Sequence, residues 1–116
     1  MVSTSRLGRD REYRVRDHMI AAGWTCIMRA AASKGAGDLL MGHPLHGAAL
    51  VQVGSGSKVL SPADRDRFTT ACDLIGALPI LAVVVPRQPI AYWHVTRDTA
   101  STWAQWQPAN PPGWRR

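Results

Sequence analysis

The stretch Leu78-Pro-Ile-Leu-Ala-Val-Val-Val85 limits what this chain can fold into more than any other. Uninterrupted apolar residues rich in β-branching and closed by Pro86 suit a strand that is covered on both faces. Such a strand needs packed layers on each side, which points to a sheet with helices against it. From Leu78 to Pro86 the run is about half of what a membrane-spanning helix needs, so it is read as core. With 116 residues the chain makes one domain, and 46% hydrophobic against 19% charged residues is a globular balance. Residues 1–16 are polar and Arg-rich and hold no apolar stretch that could act as a secretion signal, so a soluble, intracellular protein is expected. Fourteen Lys and Arg against eight Asp and Glu leave a formal charge of +6. A small protein this basic points to a polyanionic partner, nucleic acid first; a charge that serves only solubility is the simpler alternative.

Around the buried strand the rest can be placed. Gly8 to Ala22 reads as a helix, with Val15, Met19 and Ala22 on one face and Gly23 as its stop. Arg9, Arg14, Arg16 and Asp17 lie on the other face. Glu12 shares the apolar face, where an acid must be paired, bound to a metal or set at the rim of the core; placement near the positive helix N-terminus is the simpler account. Trp24 to Arg29 is a strand, Ala30 to Gly37 a small-residue loop, and a second strand starts at Asp38. His43 to Gly47 forms a turn, and Ala48 to Val53 is a third strand that Gly54-Ser-Gly-Ser57 breaks. Ser61-Pro-Ala-Asp64 opens a second helix that runs to Gly76. After the buried strand, Pro89 to Thr96 supplies the last one. The fold class is α/β, a mixed sheet flanked by helices in the order α-β-β-β-α-β-β. Residues 1–96 form the domain, and 97–116 a Trp- and Pro-rich C-terminal tail. There, Trp103 and Trp106 are spaced to share one face of a helical turn. The tail holds three of the five tryptophans, and packing on the domain or a partner subunit is preferred to base stacking.

The chemistry centres on Asp38 and Gln52. Asp38 follows a Gly-rich loop and precedes buried leucines; Gln52 is the one polar side chain inside an apolar strand. If the two strands pair as a hairpin, these side chains approach each other, and Glu12 can reach the same place. Two carboxylates, an amide oxygen and a backbone carbonyl suit a hard divalent cation such as Mg²⁺. Mg²⁺ beside a basic surface suggests phosphodiester hydrolysis.

Gly8-Arg-Asp-Arg-Glu12, Arg29 to Ser33 leading into Lys34-Gly-Ala-Gly-Asp38-Leu39, and Val51-Gln-Val53 resemble the PD-(D/E)XK nucleases. Within them the chain is most similar to the archaeal-type Holliday-junction resolvases and their phage-borne relatives, over roughly Arg6 to Thr96. The resemblance implies a restriction-endonuclease-like core. It also implies a structure-selective endodeoxyribonuclease that binds four-way DNA junctions as a homodimer and cuts with Mg²⁺, for which Mn²⁺ can substitute. It would work in the cytoplasm, that of the host if phage-encoded. By the same resemblance Glu12, Asp38 and Gln52 hold the metal together with the backbone carbonyl of Val53. Arg6, Arg9, Arg11, Arg29, Ser33, Lys34 and Lys58 are the implied DNA contacts. A junction has two-fold symmetry, which two matched active sites would suit.

One position departs from that pattern. The E-x-K element places a lysine two residues after the acid, and here that residue is Gly54. Lys58 or Lys34 could supply the missing cation. Otherwise the chain is a non-catalytic branched-DNA-binding protein on the same fold, and a flap or single-strand nuclease would use the same site. Losing a general acid or base costs a factor of about 10²–10⁴, so weak cleavage is compatible with the loss.

Other candidates carry less. His43 and His46 lack further ligands for zinc and read as turn residues. His94 is structural, and Asp64, Asp66 and Asp73 alternate with arginines on a solvated helix face. Ser55 and Ser57 belong to no P-loop. Cys26 and Cys72 read as buried free thiols.

Overall fold

In the computed structural model, residues 4–30, 38–56 and 60–109 are described, the side chains of 4–6 excepted. The elements run α1 (Thr4–Ala21), β1 (Thr25–Arg29), β2 (Leu39–His43), β3 (Gly47–Ser55), α2 (Pro62–Ile75), β4 (Ala77–Val84), β5 (Ala91–His94), a single 3-10 turn (Ala100–Thr102) and β6 (Ala104–Trp106). The strands lie in one sheet in sequence order. β3 and β4 are parallel, joined through α2, and every other neighbouring pair is antiparallel.

β4 is buried as its composition requires. Ile80, Ala82 and Val84 pack with Val15 and Met19 of α1, whereas Leu81 and Val83 pack with Phe68 and Cys72 of α2. Alternation along one extended chain thus feeds two separate cores, and the molecule is three-layered. α2 starts and stops where its punctuation says. Ser61 accepts from the Asp64 N–H at 3.1 Å, Pro62 takes the first turn, and Gly76 ends the helix at φ 69°, its N–H bonded to Cys72 O. Burial pushes the Cys72 thiol up to about 12. Cys26 is also free but only half-buried.

The structure departs from the sequence reading in several places, the addition of a sixth strand, β6, among them. α1 begins at Thr4, ahead of Gly8, because a single glycine inside a helix costs only about 1 kcal/mol. β3 does not break at Gly54: it continues through Ser55, with Gly54 opposite Val83 and Ser55 opposite Val84. β5 is shorter than the expected Pro89–Thr96 strand. Trp103 and Trp106 share no helical face, because β6 pairs with β5 and is extended there. Three residues apart on an extended chain, their side chains lie on opposite faces. Trp103 joins the α2-side core and Trp106 the α1-side core.

Among the described residues no helix is long and apolar enough to cross a membrane.

Candidate active site

Asp38 stands immediately before β2 and is almost fully buried, at 3% exposure. Its backbone N–H donates to Val51 O at 2.8 Å, and its own carbonyl accepts from the Ala30 N–H at 2.9 Å. The antiparallel register of β2 and β3 sets Leu39 against Val51, so Asp38 and Gln52 meet at the next step. Gln52 Nε2 donates to Asp38 Oδ2 at 3.2 Å, and the Val53 N–H donates to the same oxygen at 2.7 Å. The hairpin expected from sequence therefore does bring these residues together.

Glu12 arrives from α1. Arg29 Nε, at the end of β1, donates to Glu12 Oε1 at 2.9 Å, and the Glu12 side chain is only 13% exposed. Burial raises the Glu12 carboxyl above its ordinary value, the nearby Asp38 carboxylate raises it further, and Arg29 and Arg11 oppose both. A carboxyl held near another carboxylate in a half-buried setting is a functional-site signature. The Arg29 guanidinium also lies over the Tyr13 ring, 5.0 Å from its centroid, and that of Arg16 lies 4.6 Å away. Tyr13 thus holds two cations beside Glu12, each contact contributing about 0.5–1 kcal/mol where exposed.

Among the described residues no three His, Cys, Asp or Glu side chains form a metal-holding group. The two carboxylates and the Gln52 amide are nevertheless an all-oxygen donor set suited to a hard cation. A cation there would relieve the repulsion that raises Glu12. To admit it, Arg29 would release Glu12 and the Gln52 amide would turn its oxygen inward.

The remaining expected site residues are more scattered. Arg9 is exposed on α1. Arg11 lines a cavity of about 340 Å³ with Leu7, Asp10, Arg14 and Ser55. Gly54 is buried in β3. Ser33, Lys34 and Lys58, and the side chain of Arg6, lie outside the described residues. Two residues were missed. Arg14 donates to Gln88 O at 2.6 Å, tying α1 to the turn after β4, and Tyr13 stacks the cations. Tyr13 lies three residues from Arg16, a spacing at which helical side chains meet, and that signal was present in the sequence.

The fold is a mixed α/β sheet with a helix layer on each side, in which Glu12 of α1 and Asp38 at the start of β2 lie close together. Among solved structures, it is similar to the Holliday-junction resolvase Hjc of the archaeal hyperthermophile Archaeoglobus fulgidus. The two share 19% identity at a TM-score of 0.63, over 73% of this chain and 70% of that one. A likeness at that identity establishes the shared fold. No protein family matches the sequence, and no curated protein does either.

Proposed function

We propose that this chain is a structure-selective DNA endonuclease of Holliday-junction-resolvase type, acting as a homodimer on branched DNA. The observation that supports this most is Asp38, which accepts from Gln52 and raises the carboxyl of nearby Glu12, on a fold shared with such a resolvase. Glu12, Asp38, the Gln52 amide oxygen and the Val53 carbonyl would hold Mg²⁺, with Mn²⁺ as a substitute. A cation so held lowers the pKa of bound water and stabilises charge developing on phosphate. Asp38, fixed by the Val53 N–H, keeps the donor set in place. Arg29, which neutralises Glu12, is then free to pair with a DNA phosphate. Arg6, Arg9, Arg11, Lys34 and Lys58 add phosphate contacts, so binding weakens steeply as salt rises. Ser33 completes the backbone contacts.

Proton transfer is the open step in this reading. Gly54 brings no side chain to it, and Lys58 or Lys34 would have to supply the cation. Gly54 also favours a second reading, a branched-DNA-binding protein that does not cut.

Cleavage of a labelled four-way junction with Mg²⁺, beside linear duplex and flap controls, separates these readings. Gly54→Lys is expected to raise the rate of paired cutting by about 10²–10⁴. Cuts in the parent chain that Lys58→Ala abolishes would establish a relocated lysine. Junction binding without cuts, restored by Gly54→Lys, would establish the second reading. Preferential cutting of the flap would move the substrate class, and failure to retain any branched DNA would overturn both readings.

A further inference from the structure

On the α2 side of the sheet a cavity of about 320 Å³ is lined by Gly56, Leu81, Val83, Trp93, Ala100 and Trp103, among others. Strand register places it with respect to Gln52, whose amide donates to Asp38. Gln52 stands opposite Leu81, Leu81 opposite Trp93, and Gly54 opposite Val83. Directly opposed residues project from the same face of a sheet, and neighbouring strands are about 4.8 Å apart, so Trp93 lies roughly 10 Å from Gln52. Gly54 follows Gln52 on the same face of β3 by alternation.

The character of the cavity narrows its ligand. Two indoles contribute to it, and no charged residue is among those named. The Trp103 N–H is already bonded to Asp98 O at 3.1 Å, which holds its ring in place. Trp93 is half-buried, so part of its indole remains accessible. The volume is near the lower end of the roughly 300–1,000 Å³ of small-ligand sites, room for one flat ring system and not for a base pair. Aromatic side chains stack unpaired bases without regard to sequence. A strand with one phosphate near Gln52 reaches about 10 Å within a few nucleotides, at roughly 3.4 Å per stacked step and more when unstacked.

We propose that this cavity receives one unpaired nucleobase, stacked on Trp93, from the DNA strand whose phosphate lies at the carboxylates. The proposal rests on the DNA reading above and gives it a substrate class: DNA with an unpaired nucleotide beside the bound phosphate, as at a flap or an open branch point. Selection would then come from the cost of unstacking a paired base, which is smallest where the base is already free.

The test is metal-free equilibrium binding at low salt, using fluorescence anisotropy on a duplex with a single bulged 2-aminopurine and on the matching full duplex. The bulged DNA is expected to bind about tenfold more tightly, with its 2-aminopurine emission altered by stacking. Trp93→Leu should remove that preference, and Trp93→Phe should keep most of it. Ala100→Phe, made at an exposed position, should remove it by filling the cavity while leaving duplex affinity as it was, and it carries the test alone if Trp93→Leu does not fold. A preference that survives Ala100→Phe, or its absence in the parent chain, overturns the proposal and leaves the DNA reading standing. Failure to bind even duplex overturns the DNA reading and this proposal with it.

Discussion

Two groups of acids and arginines among the described residues stand in contrast, one formed by Glu12 of α1, Asp38 before β2 and Arg29, the other along α2. In the second, Arg97 donates to Asp66 at 3.0 Å and pairs with Asp73 at 3.5 Å, and both acids are about 70% exposed. In the first, Arg29 pairs with a Glu12 that is largely covered, and a buried Asp38 lies close enough to push the Glu12 carboxyl up. The residue types are the same. What differs is water: the α2 acids are screened by solvent and satisfied by their partner, whereas Glu12 and Asp38 press on each other through protein. Exposed pairs contribute little to stability and have little unused interaction energy to offer a ligand. A covered pair of like charges retains an interaction that a bound cation would improve.

The contrast can be broken most sharply at the acids themselves. Asp38→Asn keeps an acceptor for the Val53 N–H but removes a charge, and should lower Mg²⁺-dependent junction cleavage by at least about 100-fold. Asp66→Asn should leave the rate as it was. Gel-resolved initial rates for the two variants decide whether burial or mere acidity marks the site. A smaller separation is expected at the arginines. Arg29→Ala strips a half-buried carboxylate of its partner and should cost about 1–3 kcal/mol in urea unfolding. Arg97→Ala should barely move the midpoint, since its partners pass to water.

The finest distinction is in pH. Because the Glu12 carboxyl is raised, the folded chain holds its proton to higher pH than the unfolded chain does. Metal-free stability should therefore fall as pH rises from the ordinary carboxylate value of 4.5 through the raised one. Glu12→Gln should flatten that dependence, as urea midpoints across the acidic range would reveal.

How far the sequence could be read depends on how local the determining physics is. α2 announces itself through Ser61, Pro62 and Gly76, all within one helix. The double burial of β4 follows from its composition. Glu12 was legible as an anomaly because a charge among Val15 and Met19 must have a partner, although nothing local named Arg29. Gly54 and Ser55 read as a break because glycine and serine have little strand preference of their own; pairing with Val83 and Val84 overrides that. A spacing of three serves one helical face or two opposite strand faces, and only the exposed edge of β5 decides between them for Trp103 and Trp106. The cavity beside Trp93 depends on the registers of three strands, so no window of sequence contains it.

Trp24 holds a further consequence. Its indole N–H donates to Pro108 O at 3.0 Å, across 84 positions of chain, and its ring stands 5.1 Å from His43, 5.9 Å from His46 and 5.6 Å from Trp106. One side chain from the first third of the sequence thus waits for the last strand before its environment is complete. At a synthesis rate of roughly 5–20 residues per second, that wait is about 4–17 s on the ribosome. During it the hairpin of β2 and β3 has the histidines of its turn against the ring but neither the Trp106 edge nor the Pro108 carbonyl, so the indole N–H stays without its native partner until the end of the chain emerges.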